Sequence, residues 1–172
     1  MGVPEQGPPA APAQGRYRYR GAAARGAGGR ALIAYLDSSV LLRIILGQKG
    51  RLKEWNSIRG GVASSLVEVE CLRTLDRLKI RKELRDEDIT VRREAFFRLF
   101  EEVEVVEPTR AVLSRASLPF PVPLGTLDAI HLSTALLWRE RGRGHGDLVM
   151  ATHDVALSAA SRACGLRVVG GC

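Results

Sequence analysis

The stretch "AYLDSSVLL", Ala34–Leu42, decides how this chain is read. An apolar run that reads as a buried strand carries a single acidic residue, Asp37, to its end and then opens a helix with two serines. A carboxylate in such surroundings is costly unless it is paired, hydrogen-bonded or bound to a cation. The rest of the chain therefore has to supply Asp37 with partners.

Outward from that stretch, strand-like and helix-like segments alternate. "ALIAYLD" is a strand, and Ser38 or Ser39 caps a helix that runs to about Leu46. A short helix follows near Leu52–Ile58, then the brief strand "GGVAS", with Ser64 or Ser65 capping the long helix "SLVEVECLRTLDRLKI". "DEDITVRREAFFRLFEEV" is a helix whose acidic first turn suits the macrodipole. "VEVVEP" is a strand ended by Pro108, and "TRAVLSRASL" is a helix. After a loop with Pro119, Pro121 and Pro123, Thr126 caps the helix "LDAIHLSTALLWRERG". "DLVMAT" is a strand, "DVALSAASRACG" a helix with Gly165 at its end, and "LRVVG" a last strand. Alternating β and α units predict an α/β fold: a central, mostly parallel sheet of four to five strands flanked by helices on both faces.

With 172 residues there is room for one ordinary domain with a real core. Hydrophobic content of 45% and charged content of 26% are those of a soluble globular protein. No apolar run reaches the roughly 18–20 residues of a membrane span; the longest, Ala31–Leu46, is broken by Asp37 and Arg43. Cys71, Cys164 and Cys172 are odd in number and widely spaced, which argues against disulfides or a zinc site and for a reducing cytoplasm. Residues 1–30, rich in Gly, Ala, Pro and Arg, read as a disordered tail, and 31–172 as the folded domain. In the tail, "RYRYR" (Arg16–Arg20) reads first as a solvated stretch or an over-extended start, and second as a charge-and-stacking contact with RNA. The net charge of +7 is concentrated there, five arginines against one glutamate, so the domain is only mildly basic.

In open α/β sheets ligand sites gather beyond the carboxyl ends of the strands. This layout puts Asp37, Asp154, Asp128 and one of Glu68 or Glu70 at that edge. So many carboxylates could not all ionise together without raised pKa values or a cation. A hard divalent ion with oxygen ligands, Mg²⁺ or Mn²⁺, resolves the conflict. Taken singly, Asp37, Asp128 and Asp154 also stand where helix N-terminal acids are common for capping reasons alone, and a glutamate on a helix is ordinarily a surface acid.

"YLDSSVLL", "ASSLVEVECLR", "GTLDAIHLSTAL" and "VMATHDVALSAASRACGLRVV" together resemble the successive motifs of PIN-domain ribonucleases, specifically the VapC-type toxins of bacterial toxin–antitoxin pairs. The resemblance covers about Leu32–Val169, and the tail has no counterpart in it. It matches Asp37 to the family's first-strand aspartate, Asp128 to the aspartate opening the late helix, and Asp154 to the acid after the fourth strand, with Thr152 as the small hydroxyl residue before it. Ser65 and Arg73 select Glu70 as the family glutamate. At about 100° per residue, however, Glu68 shares a side with Cys71, Leu72 and Leu75, whereas Glu70 shares one with Arg73 and Arg77. Burial thus favours Glu68 and motif register favours Glu70; we take Glu70.

What the resemblance implies is a metal-dependent endoribonuclease in which Asp37, Glu70, Asp128 and Asp154 hold Mg²⁺ or Mn²⁺ and water is activated against the RNA phosphodiester. It also implies a homodimer and a cognate antitoxin that lays a helix over an apolar groove. The segments Leu41–Ile45 and Leu52–Ile58, whose apolar residues have little evident room in a small core, are the candidates for that surface. Of the histidines, His131 reads as a helix-packing residue, and His153, beside Asp154, reads only second as a phosphate contact; no histidine pair of a metal-independent ribonuclease is present. Ser39 either caps its helix or supports the site. The basic run "RERGRGH" (Arg139–His145) is a solvated helix end or a phosphate contact. An aspartate-nucleophile phosphatase would need a second aspartate where Ser39 stands; a non-catalytic RNA- or protein-binding module of the same fold is the alternative reading, which a missing acid would favour, yet all four are present.

Overall fold

The computed structural model describes residues 32–50, 52–142 and 148–170; the tail before Ala31, with Arg16–Arg20, lies outside them. β1 (Leu32–Leu36) leads into α1 (Ser38–Ile45), a 3-10 turn (Trp55–Ser57) and β2 (Ile58–Ser64). α2 (Leu66–Ile80), α3 (Asp86–Phe100), β3 (Val103–Val106) and α4 (Arg110–Ala116) follow. α5 (Thr126–Glu140), β4 (Leu148–Ala151), α6 (Val155–Ala163) and β5 (Arg167–Val169) complete the order. The strands form one five-stranded sheet in the order β3-β2-β1-β4-β5, and every pairing is parallel. The expected α/β architecture, with helices on both faces, is what the chain adopts.

Alternate residues of a strand face opposite sides, and with helices on both faces the inner strands β1 and β4 are apolar throughout. Ala34, Leu36, Ala63, Val149 and Ala151 point to a core shared with α1, α2 and α3. Tyr35, Val62, Leu148 and Met150 point the other way, to a core shared with α5 and α6. β1 lies at the centre, pairing Tyr35 with Val62 on one side and with Met150 on the other. At Gly61 a Cβ would come within 2.9 Å of the Leu36 side chain, so glycine there lets β1 and β2 pack.

Several local expectations are corrected. α1 is capped by Asp37, whose carboxylate accepts from the Ser39 N–H, so Ser38 and Ser39 are already helical. At α2 the Ser64 Oγ takes the Leu66 N–H, while Ser65 Oγ donates to Glu107. Thr126 is the first residue of α5, after Gly125 at the cap position, and makes no side-chain cap. The helix expected near Leu52–Ile58 is only the 3-10 turn, because Ile58 pairs with Leu32 and extends β2 forward. Finally, α1 is not short of room. Val40, Leu41 and Ile45 are buried, Leu52 with them, and Leu42 and Ile44 pack against the same core. The buried apolar residues of these two segments serve this core, while Leu42, Ile44, Trp55 and Ile58 are half-buried at its margin.

Candidate active site

Leu36 pairs with Ala151 as the last rung between β1 and β4, and the ladder continues when the Asp37 N–H donates to the Ala151 carbonyl (3.0 Å). The next residues, Asp37 and Thr152, therefore meet at the carboxyl edge of the sheet. Asp37 is only 5% exposed, and Thr152 is fully buried. The Asp37 Oδ2 accepts from Thr152 Oγ1 (2.9 Å), from Ser39 Oγ (2.5 Å) and, at longer range, from the Ser39 N–H (3.4 Å). Ser39 Oγ also accepts the His153 N–H (3.0 Å), and Thr152 Oγ1 accepts the Asp154 N–H (2.9 Å). Two hydroxyls thus tie the end of β1 to the loop after β4. A buried carboxylate with donors of this kind is no longer an unsatisfied charge.

Glu70 arrives from α2 and meets α5. His131 Nε2 donates to Glu70 Oε2 at 2.8 Å, and its Nδ1 lies 3.0 Å from the Tyr35 hydroxyl. The Tyr35 oxygen in turn accepts the Ser64 N–H (3.2 Å). Since α2 and α5 cover opposite faces of the sheet, this bond joins the two layers across its carboxyl end. Glu68 goes elsewhere: it lines a depression of about 490 Å³ with Ser65, Phe97, Phe100 and Glu101.

Asp128 stands in the first turn of α5, one turn before His131, and is partly buried. Its carboxyl is pushed up to about 6, first by desolvation and then by the negative charges of Asp154 and Asp37, against a smaller pull from His131. That coupling makes Asp128 and Asp154 electrically part of the same region as Asp37. Asp154 is exposed and does cap its helix, accepting the Leu157 N–H at 2.8 Å. Ligand atoms of Asp37, Glu70 and His131 lie within 4.8 Å of one another, the one such grouping among the described residues. The ion pairs of Arg73, Lys79, Arg81, Arg85 and Arg98 run to other acids, namely Asp76, Asp86, Glu83, Asp88 and Glu94. This donor set, rich in carboxylate oxygen, fits a hard divalent ion.

His131 is the residue that sequence reasoning undervalued. It is fully buried, as a packing residue would be, yet both ring nitrogens are engaged. Burial lowers its pKa, but the hydrogen bond and charge of Glu70, with Asp37 and Asp128 behind, outweigh this and raise it. Burial also pushes up the Tyr35 hydroxyl and the Cys71 thiol, so both stay protonated. The ring of His153 turns to the Gly170 carbonyl, to which Nδ1 donates at 2.9 Å, leaving its buried Nε2 without a partner. In the basic run, Arg139 donates to the Gly165 carbonyl (2.9 Å) and Arg141 is exposed; Arg143 and His145 lie outside the described residues. No helix among the described residues is long and apolar enough to cross a membrane.

Comparison with known proteins bears on this edge. The PIN domain family model matches residues 34–162. A chain of a toxin–antitoxin complex from Klebsiella pneumoniae shares the fold with a TM-score of 0.55 and 16% identity, over 81% of this chain and 95% of that one. PAE2754 from Pyrobaculum aerophilum aligns with a TM-score of 0.49 and 17% identity, over 88% of this chain and 91% of that one. No match is found among curated proteins.

Proposed function

This chain belongs to the PIN-domain family, whose members are generally nucleases, and from that premise we propose that it is an endoribonuclease dependent on Mg²⁺ or Mn²⁺. The observation that carries the reading is the pair Asp37 and Glu70. Each commits one carboxylate oxygen to hydrogen bonds within the protein, Oδ2 to Ser39 and Thr152, Oε2 to His131, which leaves Oδ1 and Oε1 to face a ligand. Asp128 and Asp154 complete the proposed metal-binding set. A divalent cation bound there lowers the pKa of a coordinated water and offsets charge on the phosphate. The chain's own contribution is to hold the inner carboxylates in place and to concentrate negative charge where a cation is wanted. Only then can a phosphodiester, itself an anion, approach.

The same reading gives the protein the toxin's place in a toxin–antitoxin pair, with RNA as substrate and a cognate antitoxin and a second copy of itself as protein partners. Family membership and the fold shared with the Klebsiella chain support it. The folded unit is assigned to 31–172, which contains the matched span.

The test is incubation of the purified chain with total bacterial RNA in Mn²⁺ or Mg²⁺ and in EDTA. Discrete fragments should form only with metal, and Asp37→Asn or Glu70→Gln should reduce cleavage by at least about 100-fold, the upper end of what even a supporting residue of a metal site contributes. Glu68→Gln should change nothing. Cleavage indifferent to EDTA and to both substitutions would sink the metal-carboxylate reading.

A further inference from the structure

We infer that His131 is a positioning residue: through Nε2–H it fixes the Glu70 carboxylate at the proposed metal site, and Tyr35 and the Ser64 backbone fix His131 in turn. The inference rests on the proposed metal site and deepens it, because it separates ligands from their support. His131 falls within the 4.8 Å grouping with Asp37 and Glu70, so proximity alone would make it a ligand. The hydrogen bonds argue otherwise. A carboxylate oxygen can only accept, so the 2.8 Å contact between Glu70 Oε2 and Nε2 requires the proton on Nε2. At Nδ1 the Tyr35 hydroxyl serves either charge state of the ring, donating when it is neutral and accepting when it is charged. Nε2 keeps its proton in both, and a protonated nitrogen has no lone pair for a metal.

The support behind the ring is unusually firm. Tyr35 is on the central strand and 0% exposed, and its oxygen is anchored by the Ser64 N–H at the end of β2. The line from Ser64 through Tyr35 and His131 to Glu70 therefore ties a helical carboxylate to sheet backbone, whose position is set by pairing on both sides. Left to itself, Glu70 would keep the rotamer freedom of a long side chain on a helix surface. Held by its outer oxygen, it meets a cation already oriented, which is what outer-shell partners of metal sites provide.

The experiment is Mn²⁺ titration of the full chain, followed by calorimetry and by pulsed electron paramagnetic resonance. His131→Leu should lower Mn²⁺ affinity about 10- to 100-fold while the chain stays folded by circular dichroism. His131→Gln, whose amide can donate from near the Nε2 position, should recover most of that loss. Tyr35→Phe should weaken binding less than His131→Leu and keep the fold even where the leucine variant does not. The resonance spectrum of the wild-type complex should show no directly coordinated nitrogen. A nitrogen coupling of a coordinated imidazole would overturn the inference, as would leucine and glutamine variants that bind Mn²⁺ equally. Asp37→Asn separates the two levels. If it abolishes Mn²⁺ binding while His131→Leu and Tyr35→Phe do not alter it, the metal site stands and the positioning role falls; if wild-type and Asp37→Asn bind alike, the metal site falls and takes the role with it.

Discussion

Asp37 and Glu70 each have one oxygen already engaged by protein donors, whereas Asp128 and Asp154 stand at helix starts with more open surroundings. The inner pair is held by Ser39 at the start of α1, by Thr152 just after β4 and by His131 of α5, the last two of them buried. The outer pair is placed by its own helices, and its mutual repulsion is still visible in the raised pKa of Asp128. Fixed donors and a titrating rim are different devices. The first sets geometry, the second sets how much charge is present at a given pH.

Breaking the inner support should have the largest effect. Thr152→Val removes a hydroxyl that donates to Asp37 and accepts the Asp154 N–H. We expect RNA cleavage to fall about 10- to 100-fold and unfolding free energy to fall by about 1–3 kcal/mol, read by denaturant titration. Unchanged values in both would mean that the inner pair is no better held than the outer one.

The outer pair is sharpened by separating capping from charge. Asn caps a helix as well as Asp does, so Asp154→Asn should leave stability within about 0.5 kcal/mol but cut cleavage about tenfold. Asp154→Ala should lose the same activity and a further ~1 kcal/mol of stability. If Asp154→Asn cleaves RNA normally, the residue is a cap and nothing more.

The smallest effect is thermal. The Asp128 carboxyl titrates near 3.8 ordinarily and at about 6 in the fold, so the folded state holds the proton more tightly. Its charge therefore costs stability that grows as pH rises through that window and levels off above it. In EDTA, Asp128→Asn should melt about 2–4 °C above the parent at pH 8 and at the same temperature below pH 4. An equal offset at both pH values would mean that the substitution acts through packing and not through the charge of Asp128.

Much of this was legible in the sequence because parallel sheets leave strong traces. Apolar strands, each followed by a helix start, put Asp37 and Asp154 at strand ends without any need for coordinates. What stayed hidden depends on contacts between elements. The angular argument that favoured Glu68 considers one helix lying on a sheet, but Glu70 is met from the side by α5, which covers the other face. His131 looked like packing because nothing within α5 shows its partners. A signal was present, since a tyrosine in a strand with no exposed face needs a partner for its hydroxyl, and Tyr35 is followed two residues later by Asp37. The start of β2 was missed for a similar reason: Ile58 becomes strand through its pairing with Leu32, 26 residues earlier in the chain.

The bond from Thr152 to Asp37 spans 115 positions of sequence. During synthesis Asp37 leaves the ribosome early and must wait for β4, the strand that supplies its neighbour on one side, before its hydroxyl support exists. Chain growth at about 5–20 residues per second makes that interval several seconds or more. For the proposed nuclease, topology thus postpones the site: the hydroxyl support of Asp37 exists only once residue 152 of 172 has been made.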